Sequence, residues 1–95
     1  MEIPSKVKFK LGMVLMTPGA RDALADSGES AWTFLVRHLK GDWGELSEED
    51  KLLNDQAVQD GDRILSAYKT AQGTKVWVIS EADRSASTIL LPEEY

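Results

Sequence analysis

The segment Lys75-Val76-Trp77-Val78-Ile79-Ser80 constrains the fold more than any other. Side chains alternate along a strand, so Val76 and Val78 point one way and Trp77 and Ile79 the other. Both faces are apolar, and such a strand belongs in the middle of a sheet. Its neighbours are close in sequence. Residues 63–69 read as a strand with Ile64, Ser66 and Tyr68 on one face and Leu65 and Ala67 on the other. Ala71-Gln72-Gly73-Thr74 is a hairpin loop with glycine at the permissive position. Residues 87–91 form a third strand, ended by Pro92, which cannot donate to a ladder. The last third of the chain is therefore a three-stranded meander.

Upstream, Val7, Phe9, Leu11 and Met13 alternate with Lys8, Lys10 and Gly12, which predicts a half-buried strand near residues 6–15. Lysines on its outer face would guard an edge strand against unwanted pairing. Thr17 can cap a helix that Pro18 opens and Gly28 ends, over about residues 18–26. Between Ser30 and Lys40, Trp32, Leu35, Val36 and Leu39 recur at helical spacing, with Ala31, Phe34 and His38 on the flank. Gly41-Asp42-Trp43-Gly44 is a turn. Ser47 caps a third helix whose first turn carries Glu48, Glu49 and Asp50, charges that suit the positive end of a helix dipole. Leu46, Leu53 and Ala57 mark its expected buried side. The expectation is one α+β domain over residues 1–95. An N-terminal strand and a C-terminal three-stranded meander make one antiparallel-rich sheet, with two or three helices packed on one face.

Composition narrows the chemistry. There is no cysteine, which excludes disulfides and thiolate metal sites. Asp60-Gly61-Asp62 lacks the spacing of a calcium loop, so neither metal nor cofactor is expected. No run approaches the ~18 apolar residues of a membrane span, and the N-terminus does not read as a signal peptide. A cytoplasmic setting is the expectation. Charge is uneven: residues 1–40 hold six basic and four acidic residues, residues 41–95 five basic and twelve acidic. Eight carboxylates lie between Asp42 and Asp62, facing one lysine. This surface disfavours direct nucleic-acid binding, which rests on cationic contacts. It is either a solvated helix face or a surface for a basic partner.

His38 is the only histidine. As a general base in an RNase-like or nuclease-like site it would need a partner, for which Glu81, Asp83 and Arg84 are the candidates. The alternative is a structural hydrogen-bond donor beside the apolar stripe of its helix. Trp43 is either a lid on the core or an exposed anchor for a partner. The turn Glu81-Ala82-Asp83-Arg84-Ser85 is either a corner held by its own hydrogen bonds or a recognition surface. There is no nucleophile elbow, phosphate loop or dinucleotide glycine pattern.

Several blocks carry a resemblance: Thr17-Pro18-Gly19-Ala20, Arg37-His38, Gly41-Asp42-Trp43-Gly44, Asn54, Arg63-Ile64-Leu65-Ser66-Ala67-Tyr68, Trp77-Val78-Ile79-Ser80-Glu81-Ala82-Asp83-Arg84-Ser85 and Leu90-Leu91-Pro92-Glu93-Glu94-Tyr95. Together they resemble a family of small bacterial proteins found on plasmids and integrated elements. Its members are usually labelled "plasmid-related protein" and sometimes a type I restriction modification subunit. Ser80 and Ser87 stand where the family pattern leads one to expect threonine, which keeps the hydroxyl. The resemblance implies a mobile-element context and no particular activity. A methyltransferase would need a cofactor-binding α/β domain, for which this chain has neither the length nor the glycine-rich turn. Three functional expectations follow. The first is a non-catalytic module that binds a protein partner through Asp42, Trp43, Glu81, Asp83 and Arg84 together with the acidic helix. The second is a nuclease-like enzyme using His38 with Glu81 and Arg84. The third is an acidic mimic occupying the nucleic-acid site of a host or defence protein.

Overall fold

A computed structural model of the chain describes residues 6–95. The elements run β1 (Met13–Met16), α1 (Pro18–Ser27), α2 (Ala31–Leu39), α3 (Glu48–Asp60), β2 (Ile64–Lys69), β3 (Lys75–Ser80) and β4 (Ala86–Leu90), followed by a 3-10 turn over Pro92–Glu94. The fold is α+β. One four-stranded sheet has the order β1-β4-β3-β2. The meander β2–β4 is antiparallel, and β1 joins it parallel to β4.

The helix signals act as read. Thr17, Ser30 and Ser47 each accept a backbone N–H at a helix start, and Gly28 ends α1 in the left-handed region. The helices lie on one face of the sheet. Phe34, Leu35 and Leu39 of α2 and Ala20 and Leu24 of α1 pack with Val76, Val78 and Ile89. Trp43, Ala57 and Ile64 form a second cluster, and Phe9 packs against both.

Two expectations need correcting. The strand expected over residues 6–15 is shorter and displaced: only Met13–Met16 pair with β4. Gly12 takes φ +67 and sits so close to the backbone of Arg84 and Ser85 that a Cβ would overlap it, and ahead of it Phe9 and Leu11 pack inward while Val7, Lys8 and Lys10 stay exposed. The lysines thus precede the edge, and all four strand residues are exposed and apolar. Leu53 is not on the buried side of α3. It is 56% exposed, and Asn54 faces inward in its place, beside Ala57, which is buried as expected. Trp77 is half-buried on the sheet face away from the helices, where the Tyr95 ring meets it edge-on at 5.8 Å.

Asn54 explains the rotation of α3. Its amide donates to Leu65 O (2.7 Å) and accepts from Leu65 N (3.3 Å). One turn along β2, Ala67 N donates to Trp43 O (3.1 Å) and Glu45 N to Ala67 O (2.7 Å). The bend at Gly44, with φ +77, comes so close to Ala67 O that no side chain fits there. The outward backbone groups of Leu65 and Ala67 are therefore satisfied, which seals this edge up to its last residue, Lys69, whose charge itself discourages pairing.

Candidate functional site

The polar side chains that could do chemistry meet inside the molecule. His38, on the inner flank of α2, is fully buried. Its Nδ1 lies 2.6 Å from Ser66 Oγ of β2 and its Nε2 2.9 Å from Ser80 Oγ of β3. Ser80 Oγ is 2.6 Å from Ser87 Oγ of β4. Ser87 in turn donates to Leu11 O at 2.8 Å.

Counting protons fixes the direction of this chain, because each hydroxyl has one to give. Ser87 gives its proton to a carbonyl, so it accepts from Ser80. Ser80 therefore accepts from His38 Nε2–H. Nδ1 of the neutral ring is then left to accept from Ser66. No buried polar side-chain atom among the described residues lacks a partner. Burial pushes the imidazole pKa down to about 3, and the positive charge of Arg84 adds to the effect.

Phe9 sets its ring edge-on against His38 at 5.1 Å and stacks on Trp43 at 6.3 Å. The Arg84 guanidinium lies 5.5 Å from the centre of the same Phe9 ring. Around Phe9 the structure thus brings together His38, Trp43 and Arg84, three residues the sequence singles out. It does not make them a catalytic group. His38 meets serines rather than Glu81, Asp83 or Arg84, and it is shut off from solvent. The nuclease-like arrangement is not assembled.

Arg84 is fixed by backbone carbonyls. It donates to Asp62 O (2.6 Å), Glu81 O (3.0 Å) and Ala57 O (3.0 Å). Ala57 is in the last turn of α3 and Asp62 just beyond its Gly61 cap, a place where a cation suits the dipole. Arg84 is the one non-glycine residue with positive φ (+60) among those described. Asp83 Oδ1 accepts from Ser85 N at 2.9 Å, and bonds from Ser85 hold its carboxyl below the ordinary range. Glu81 pairs with Arg63 at 3.4 Å. This turn is a corner held by its own hydrogen bonds.

The bend after α2 is equally closed. Trp43 is only 3% exposed, and its indole N–H donates to Asp55 Oδ1 at 2.9 Å. It is a lid on the second cluster and cannot be an exposed anchor. Asp42 accepts from Arg37 Nε (2.6 Å) and Nη2 (3.3 Å), which holds its carboxyl below its ordinary pKa. The same Arg37 lies over the Tyr68 ring, and Tyr68 donates to Asp42 O at 2.6 Å.

The acidic run is partly neutralised. Asp42 pairs with Arg37, Glu45 with Lys69 and Glu48 with Lys51, while Asp55 holds Trp43. Between these sites the outer face of α3 carries two large apolar side chains, Leu52 (64% exposed) and Leu53. Among the described residues, no group of three His, Asp or Glu side chains converges as metal ligands would, and no helix is long and apolar enough to cross a membrane.

Sequence reasoning missed Ser66, Ser80, Ser87 and Asn54 as a polar framework. A signal was present: three serines at inward strand positions face one histidine on a helix flank. A single inward serine reads only as a small residue, so the pairing needs the strand register. Comparison of the chain with family models, curated proteins and solved structures finds no match.

Proposed function

We propose that the chain is a non-catalytic protein-interaction module, and that it meets a protein partner through the outer face of α3. The observation that carries this is the adjacent pair Leu52 and Leu53, both more than half exposed on a helix whose remaining outer positions are polar or acidic. Glu48 and Glu49 lie one turn before them and Gln56 one turn after. An apolar spot with an acidic rim fits a partner surface of apolar residues ringed by lysine or arginine. Asp42 and Asp83 keep exposed side chains beyond either end of α3 and extend the acidic surface. Trp43 and Arg84 serve as its internal supports. The histidine and serines are engaged in the core, which favours this reading over a hydrolytic one. The resemblance to proteins of plasmids and integrated elements supplies a mobile-element context.

The test is capture from a bacterial lysate by the immobilised chain, beside the L52S/L53S double variant, at low and high salt. A protein held by the wild type, lost with the variant and weakened by salt supports the proposal. Equal capture by both chains overturns it.

A further inference from the structure

The two edges of the sheet are treated differently. On β2 the outward groups of Leu65 and Ala67 are covered by Asn54 and by the Trp43–Glu45 bend. On β1 they are open. Met13 N donates to Ser85 O and Thr17 N to Ile89 O, so residues 13, 15 and 17 turn their backbone groups toward β4. Val14 and Met16 turn theirs outward, because these directions alternate along a strand. Neither has a backbone partner among the described residues. The four side chains of β1 are 39–65% exposed, and none is charged. Such an edge is a template for another strand.

The register divides the side chains. Val14 pairs with Ser87 and Met16 with Ile89, which places both on the helix face. Met13 and Leu15 lie on the open face, in register with Ala86 and Thr88. Beside Val14 on the helix face is a groove of about 270 Å³. Val7, Phe9, Leu11, Trp32 and Leu39 line it, and Lys10 is its only charged wall residue.

We infer that β1 pairs antiparallel with β1 of a second copy of this chain, about a two-fold axis through Leu15. This register uses every outward group. Val14 exchanges both backbone bonds with Met16 of the partner, Met16 does the same with the partner's Val14, and four hydrogen bonds form. A pair that exchanges both bonds shares a face. Met16 of each copy therefore lies beside the other's Val14, at the mouth of the groove. A methionine is unbranched and flexible, and it suits an irregular apolar space. Leu15 meets Leu15 of the partner on the open face, where side chains of a non-hydrogen-bonded pair approach most closely.

Area favours this occupant over a bare peptide strand. A stable interface hides about 800 Å² per partner, and four strand residues alone fall short. The reciprocal seating of Met16 brings both grooves into the contact as well. Charge does not oppose the arrangement, because antiparallel pairing sends the two Lys10 residues to opposite ends. Since β2 is sealed, growth stops at two copies. The result is a closed dimer with one eight-stranded sheet rather than a fibre. This surface lies apart from the outer face of α3 and does not depend on its role.

The test has two arms. Sedimentation velocity of the wild-type chain over a range of concentrations should show a dimer. Leu15→Lys, which sets two ammonium groups against each other on the axis, should raise the dissociation constant more than about tenfold, with an unchanged far-ultraviolet spectrum. In the second arm, Leu15→Cys supplies the chain's only thiol. Non-hydrogen-bonded partners lie about 4.5 Å apart at Cα, within disulfide reach. Mild oxidation should link L15C into a covalent dimer faster than the control L52C, although Leu52 is the more exposed of the two positions. A wild-type monomer at all concentrations overturns the inference. So does a dimer that L15K leaves intact, or an L15C chain that links no faster than L52C.

Discussion

His38 Nε2 lies 2.9 Å from Ser80 Oγ, and this contact joins the flank of α2 to the central strand of the sheet. Through Ser66, Ser80 and Ser87 a single side chain touches a polar network that spans β2, β3, β4 and the segment ahead of β1.

Replacing that ring exposes its worth. His38→Ala should cost about 3 kcal/mol or more, because it opens a cavity and strips Ser66 and Ser80 of partners in the core. Urea unfolding measures it. An effect under about 1 kcal/mol, the range of an ordinary surface change, would contradict the network.

Stability should fall as pH falls from the unfolded-state value of 6.5 toward about 3. In that window the unfolded histidine binds a proton and the buried one does not, so the unfolded state is favoured by about 1.4 kcal/mol per pH unit. Above pH 6.5 the contribution is complete. His38→Gln, compared with wild type between pH 7 and pH 5, should show the shallower slope. Equal slopes would mean that the ring takes up its proton over the same pH range in the folded and the unfolded chain.

The proton count requires the Nε2–H tautomer of His38. Imidazole nitrogen shifts at neutral pH should show one protonated nitrogen, Nε2, and a bare Nδ1 that accepts from Ser66. A ring in rapid tautomeric exchange, or one protonated at Nδ1, would contradict the direction assigned to the serine chain.

Arg84 separates two effects at one position. Both Arg84→Ala and Arg84→Gly lose the bonds to Ala57 O and Asp62 O, a cost of about 2 kcal/mol. Glycine has no penalty at φ +60, so R84G should be about 1 kcal/mol more stable than R84A. Thermal unfolding of the pair gives the order. The reverse order would mean that the turn relaxes out of the left-handed region.

Opening the sealed edge should change how copies associate. Asn54→Leu leaves the N–H and C=O of Leu65 without partners and should cost about 2 kcal/mol. It also gives each chain a second free strand edge. Light scattering should then show species larger than the wild type's at equal concentration. Unchanged mass would mean that the Trp43–Glu45 bend alone protects β2.

The element types and the helix caps were legible because they rest on local chemistry. Thr17, Ser30, Ser47 and Gly28 act on backbone groups within a turn of themselves. The both-sided apolarity of Val76 to Ile79 placed β3 inside the sheet, as found. What was not legible depends on residues distant in sequence. The shift of β1 follows from Gly12 packing on the backbone of Arg84 and Ser85. The exposure of Leu53 follows from Asn54 reaching Leu65. Of the candidate site, the sequence points to His38, Trp43 and Arg84 for catalytic or partner-binding roles, whereas the fold uses them as internal contacts. Their meeting around Phe9, and the burial of His38 and Trp43, needed the tertiary contacts. The two leucines of α3 were hidden because helical periodicity alone does not say which apolar stripe faces inward.

The parallel match of Met13–Met16 to Ala86–Leu90 also has a temporal side. During synthesis β1 has no neighbour until β4 has left the ribosome, and the intervening chain must close on itself before that contact forms. A nascent chain therefore holds a bare hydrophobic tetrapeptide from the emergence of β1 to that of β4, and the native sheet can be completed only then.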